Sequence, residues 1–153
     1  MDGLCLTMTL ITSVVAALFA GNPSVWMPVA GLVFGVLLWN FPQPRTFLGD
    51  GGSTLLGYIC SSHLAWSIFP DLFGKGFLGI TVVLLLIGGV PVIDTLVAMT
   101  RRILTKKSPF LPDRGHTHHR LLDRGFTKLQ TLVIMGSGHL ALAIAGIRLL
   151  GAL

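Results

Sequence analysis

Five long stretches almost without charge decide what this chain can fold into. Leu4–Ala20, Val25–Phe41, Thr54–Pro70, Phe77–Met99 and Thr131–Leu153 are each 17 residues or longer, and their only charged or imidazole side chains are His63, Asp94, His139 and Arg148. A helix crosses the hydrocarbon core of a bilayer with about 20 apolar residues, about 17 being the lower limit. Each run therefore predicts one transmembrane helix, the first three borrowing flanking residues to reach full length. The first run is read as a span and not a signal peptide, because Met1 is followed by Asp2 and no basic segment precedes the apolar one. Composition supports the same class. Only 11% of the residues are charged, against about a quarter in a soluble domain, which leaves too little polar surface for a soluble globule, a coiled coil or a disordered tail. The expectation is a single all-α polytopic integral membrane domain over residues 1–153, with about five transmembrane helices. The net charge of +5 then belongs to membrane orientation, and no nucleic-acid partner is expected.

The basic residues are not spread evenly. The connector before the last run carries Arg101, Arg102, Lys106, Lys107, Arg114, Arg120, Arg124 and Lys128 against Asp113 and Asp123, while Gly21–Ser24 carries no charge and Asp71 offsets Lys75. The positive-inside rule puts the loops at about 42–53 and 100–130 in the cytoplasm, with the N-terminus on the same side and the C-terminus outside. Attraction of the basic loop to anionic lipid acts in the same direction. Asp2-Gly3, Gly49–Ser53 and the histidines of the long loop thus collect on one membrane face.

Two segments on that face can carry chemistry. Gly49-Asp50-Gly51-Gly52-Ser53 directly precedes an apolar run. Ser53 suits the N-cap position, glycines allow close backbone approach to phosphate oxygens, and a helix N-terminus favours anions. A carboxylate there suits Mg²⁺, which takes one or two carboxylates and fills its other positions with phosphate and water. The plain alternative is a tight surface turn with Asp50 as a cap. Asp113-Arg114-Gly115-His116-Thr117-His118-His119-Arg120 is rarer, with three of the five histidines in four positions. Flanking arginines repel a metal cation, and neither Cys nor Glu joins the cluster, so a polyanion such as a nucleoside diphosphate fits better than zinc or heme. The alternative is a basic juxtamembrane loop with idle histidines. Asp94, within a predicted span, is expected to face the bundle interior or a wet cavity, with structural pairing to Arg101 or Arg102 and a direct substrate role as equal alternatives. His63 and His139 read as interhelical hydrogen-bonding residues, and Cys5 and Cys60, without CxxC spacing, as small apolar packing residues.

Together these stretches resemble the bacterial polyprenyl-phosphate N-acetylhexosamine-1-phosphate transferases, the family of the undecaprenyl-phosphate GlcNAc-1-phosphate transferases and the phospho-MurNAc-pentapeptide transferase. Met1-Asp2-Gly3-Leu4 is similar to the end of its Asn-rich motif, Arg45–Ser53 to its phosphate and magnesium loop, and Ser108–Leu121 to its C-terminal His motif. His116-Thr117-His118-His119 has the His-x-His-His form of the GlcNAc branch. The resemblance implies transfer of N-acetylglucosamine 1-phosphate, or a related N-acetylhexosamine 1-phosphate, from a UDP-sugar to undecaprenyl phosphate, initiating a cell-envelope glycan such as a lipopolysaccharide chain at the bacterial inner membrane. It implies Mg²⁺ (or Mn²⁺) at Asp50 and Asp2, catalytic roles for Asp50, His116, His118 and His119, and substrate binding by Asp2, Gly51, Ser53, Asp113, Arg114 and Arg120. It also implies that the family's paired aspartates and asparagines lie upstream of these residues. The chain then corresponds to a C-terminal half whose turnover depends on an N-terminal half, with a second copy as another protein partner. The alternatives are a non-catalytic fragment or pseudoenzyme, pentapeptide-transferase-type activity, or a small transporter or metal-binding protein.

Overall fold

A computed structural model describes residues 2–19, 23–40, 43, 45–72, 76–106, 108 and 115–152. These residues form α1 (Asp2–Phe19), α2 (Pro23–Asn40), α3 (Gly49–Leu72), α4 (Phe77–Leu104), α5 (Thr117–Asp123) and α6 (Lys128–Ala152). No strand occurs among the described residues. The architecture is all-α, and the five long helices fall on the five apolar runs. Each borrows polar or charged residues at an end, as α3 does with Gly49–Ser53 and α4 with Arg101 and Arg102. Three stretches among the described residues are long and apolar enough to cross a membrane: Pro23–Asn40, Leu84–Leu104 and Lys128–Leu149. Gly3–Phe19 is also apolar but shorter. The chain is a polytopic membrane protein.

The helices pair through narrow stripes. In α2, Trp26, Ala30 and Val33 are buried, four and three residues apart, and in α6 Thr131, Met135, His139 and Ala143 recur every fourth residue. That spacing places each set on one helix face. The remaining faces carry exposed Leu32, Phe34, Leu38, Val133 and Leu140, as expected of helices surrounded by lipid. Because lipid is as apolar as the side chains, close packing holds such helices together. At Gly146 of α6, a Cβ would stand 2.8 Å from Ile87 Cγ1 and 2.9 Å from Leu86 Cβ of α4, so glycine is what allows this approach. Hydroxyls inside the helices turn back on their own backbone, as Thr7 donates to Gly3 O (2.7 Å) and Ser13 to Thr9 O (2.8 Å). Neither hydroxyl is thereby left unpaired in hydrocarbon.

Two apolar clusters fix the polarity of the bundle. Leu6, Val33 and Leu56 join the start of α1, the later part of α2 and the early part of α3. Ala16, Ala17, Trp26, Leu64 and Ile87 join the opposite ends of α1 and α2 with the deeper part of α3 and the middle of α4. The beginnings of α1 and α3 and the end of α2 therefore lie at one end of the bundle.

Two local expectations are corrected. Gly49–Ser53 is the first turn of α3 and not a loop before it. Ser53 is therefore no N-cap: its hydroxyl donates to Gly49 O and Asp50 O (both 3.1 Å) from inside the helix. His63, expected to bond across helices, bonds Ile59 O of its own helix through Nδ1 (2.8 Å), with its ring edge-on to Trp26 at 5.8 Å.

Candidate functional site

The site starts from a break in α4. Gly89 has φ 55°, ψ −142°, a conformation open only to glycine without strain. A Cβ there would lie 2.2 Å from Nδ1 of His139. The buried His139 ring thus fills the notch, and its Nε2 pairs with Thr12 Oγ1 of α1 at 2.9 Å. Pro91 follows, with no N–H to continue the ladder. One interhelical hydrogen bond, of the kind expected for His139, ties α1 to α6, and the ring it holds packs into α4 where that helix changes direction.

Beyond the break, α4 presents two side chains to the histidine loop. Asp94 Oδ2 accepts from His116 Nδ1 at 2.8 Å, and Oδ1 accepts from the Thr117 backbone N–H at 2.9 Å and from the Thr117 hydroxyl. Arg101 Nη1 donates to Gly115 O at 3.0 Å, and a Cβ on Gly115 would collide with that guanidinium. Asp94 therefore pairs with the loop and not with Arg101 or Arg102, and both α4 residues fasten the same three positions, 115–117. Thr117 opens α5, so Asp94 satisfies an N-terminal N–H that the short helix cannot pair itself. The sequence placed Asp94 in the right setting but outside the set of site residues. Its spacing from Pro91 and the basic Arg101-Arg102 pair was the available signal.

Within α5 the three imidazoles lie together. The rings of His116 and His118 stack at 6.0 Å, and those of His118 and His119 stand 4.1 Å apart with a 37° tilt. Burial pushes the His118 pKa below its ordinary 6.5, and the charge of neighbouring His119 adds to the shift. His118 also reaches the wall of a cavity of about 560 Å³ shared by α1, α3, α4 and α6. Its walls are mostly apolar, including Met8, Leu56, Leu64 and Ile87, with Ser53, Asp94 and Thr95 as polar members and Leu4 and Cys5 from the start of α1.

The structure thus brings His116, His118, His119 and Ser53 to one end of the bundle around Asp94. Asp50 and Gly51 are exposed on the first turn of α3, and Arg120 is exposed on α5. Asp2 opens α1, but its side chain lies outside the described residues, as do Asp113 and Arg114. Among the described residues no group of three or more His, Cys, Asp or Glu converges as a metal cage. An exposed lone carboxylate such as Asp50 is the donor set expected for Mg²⁺ shared with phosphate, not for a fully protein-ligated ion.

Residues 1–68 match the model of a family described as glycosyl transferase family 4. The chain is 34% identical over 148 residues to the undecaprenyl-phosphate alpha-N-acetylglucosaminyl 1-phosphate transferase of Thermotoga maritima, covering 96% of this chain and 44% of the relative. The chain belongs to glycosyl transferase family 4. Further family-4 relatives include the decaprenyl-phosphate N-acetylglucosaminephosphotransferase of Mycolicibacterium smegmatis, 31% identical over 160 residues, covering 88% of this chain and 38% of the relative. The Haemophilus influenzae undecaprenyl-phosphate alpha-N-acetylglucosaminyl 1-phosphate transferase is 35% identical over 105 residues, covering 69% of this chain and 27% of the relative. The chain thus spans less than half the length of these relatives and matches their C-terminal part. No solved structure matches it.

Proposed function

We propose that this family-4 chain takes part in moving N-acetylglucosamine 1-phosphate, or a close N-acetylhexosamine analogue, from a UDP-sugar to undecaprenyl phosphate on the cytoplasmic face of the bacterial inner membrane. The observation that carries the reading is the docking of the His motif, through Asp94 and Arg101, onto the polar end of an apolar cavity. A lipid phosphate needs that juxtaposition: hydrocarbon walls for its chain and hydrogen-bonding groups where its head emerges. The names of the relatives supply the acceptor class, undecaprenyl or decaprenyl phosphate.

Phosphoryl transfer asks a protein mainly to position the reactants and neutralise developing charge. Asp50, with Asp2 of α1, would hold Mg²⁺, which when bound screens the diphosphate oxygens. His118 and His119 reach the donor phosphates with Arg114 and Arg120, and Ser53 and Gly51 line the approach from α3. The acceptor phosphate oxygen attacks the β-phosphorus and UMP leaves. The relatives are more than twice as long as the matched stretch. The proposed site accordingly draws on polypeptide corresponding to the rest of their length, in the same chain or from a partner.

Native membranes containing the protein, given radiolabelled UDP-GlcNAc, Mg²⁺ and undecaprenyl phosphate, are expected to release UMP and place label in a lipid-linked diphosphosugar. Label remaining wholly in UDP-GlcNAc would refute the reading.

A further inference from the structure

The contacts of Asp94 constrain more than the position of the His motif. An ionised carboxylate only accepts hydrogen bonds. Asp94 carries three partners, with Thr117 N–H and hydroxyl on Oδ1 and His116 Nδ1 on Oδ2. Its side chain is 14% exposed and that of His116 29%. Facing that carboxylate, His116 must keep its proton on Nδ1. A neutral imidazole with Nδ1–H has a lone pair on Nε2, so it accepts at that atom and cannot donate. Among the described residues, no other side chain is hydrogen-bonded to the same oxygen. Arg101 from α4 holds Gly115 O, His118 stacks on His116, and His119 stacks on His118 while its backbone N–H donates to His116 O at 3.0 Å.

We propose that Asp94 is a positioning residue that fixes the neutral His116 ring as the Nδ1–H tautomer. His116 Nε2 then serves as the acceptor for an O–H of the bound substrate, a sugar hydroxyl or a protonated phosphate. The role in turnover rests on the sugar-phosphate transferase reading, whereas the tautomer does not. This assignment separates His116 from its neighbours, since a lone pair repels fully ionised phosphate oxygens. When neutral, His116 has its single N–H committed to Asp94 and none left for the diphosphate. The logic is that of a buried carboxylate orienting an imidazole, where amide replacement leaves the geometry intact but selects the wrong tautomer.

The test is ¹⁵N solid-state NMR of histidine-labelled full chain in lipid bilayers at about pH 8, where an ordinary imidazole is neutral, with His116 assigned by loss of its signals in His116→Asn. The wild type is expected to show a protonated Nδ1 and an unprotonated Nε2. Asp94→Asn keeps an oxygen for the Thr117 N–H but offers His116 an amide N–H, so the proton is expected to move to Nε2. An unprotonated Nδ1 in the wild type, or an unchanged pattern in Asp94→Asn, would overturn the proposal, whether or not the protein transfers sugar phosphate. In membranes that do transfer it, Asp94→Asn should lower kcat at least about tenfold and leave KM for UDP-GlcNAc nearly unchanged. A switched tautomer with undiminished turnover would overturn the role given to Nε2.

Discussion

His118 is the imidazole of the motif that meets both the cavity and its neighbours, and its lowered pKa has a consequence for docking of the loop. Burial, aided by His119, disfavours the charged ring. The unfolded or undocked state therefore binds more protons than the docked state between the lowered pKa and the ordinary 6.5, and stability rises with pH through that window. The docked loop is expected to be fully stable above about pH 6.5 and to loosen as pH falls below it. Limited proteolysis of the segment between α4 and α6 from about pH 8 down to pH 5 should show growing cleavage in the wild type and a flatter profile in His118→Gln. An identical profile in both would contradict this account. At this scale the sequence spoke unevenly. A lone histidine in an apolar run is expensive unless bonded, so an interhelical hydrogen bond was expected of His139 without its partner Thr12 being foreseen, while His63 met the same need within its own helix. The partner of Asp94 did not follow. Arg101 lies seven residues on, about 10 Å along the helix axis, while His116 is 22 residues away in sequence, a pairing that no local pattern announces.

The break in α4 is the element on which the proposed site depends. Gly89→Ala forces a side chain into φ 55°, ψ −142° and drives a Cβ to 2.2 Å from the His139 ring. Strain at such a backbone position costs on the order of 1–3 kcal/mol before any clash. The variant should melt several degrees lower in detergent, and transfer should fall because Asp94 and Arg101 swing away from residues 115–117. An unchanged melting temperature would show that the break is not glycine-dependent. Gly115→Ala is milder: the Arg101 guanidinium can retreat, losing its bond to Gly115 O. Its expected cost is about 0.5–1.5 kcal/mol, measured by the same melts. The long helices were legible because hydrophobic length is a strong signal. Helix α5 was not, since seven residues carry too little periodicity and its first turn is satisfied by Asp94, a distant residue. The break itself was signposted by Gly88-Gly89 and Pro91, but its lock, a histidine on another helix, was not.

At the scale of the whole molecule, the start of α1, the end of α2, the start of α3 and α5 gather at one end of the bundle. The basic connectors belong to that end, and the proposed function, with the positive-inside rule, expects it to face the cytoplasm. With Cys5 and Cys60 replaced by Ala, Ser108→Cys should react with a membrane-impermeant maleimide only from the cytoplasmic side, and Gly76→Cys only from the opposite side. The reverse pattern would invert the topology. Charge placement made this arrangement legible from the sequence, because loop charges act through the membrane and need no tertiary contact. The cavity was not legible, because its walls come from four helices whose packing depends on local accidents such as Gly146 against Ile87. The central claim is that this end of the bundle performs sugar-phosphate transfer. Its most direct test is formation of radiolabelled undecaprenyl-diphospho-GlcNAc by native membranes carrying the wild type, Asp50→Ala or His118→Ala at matched protein levels. The account predicts product in the wild type and a loss of about a hundredfold or more in each variant. Equal product from all three would contradict it.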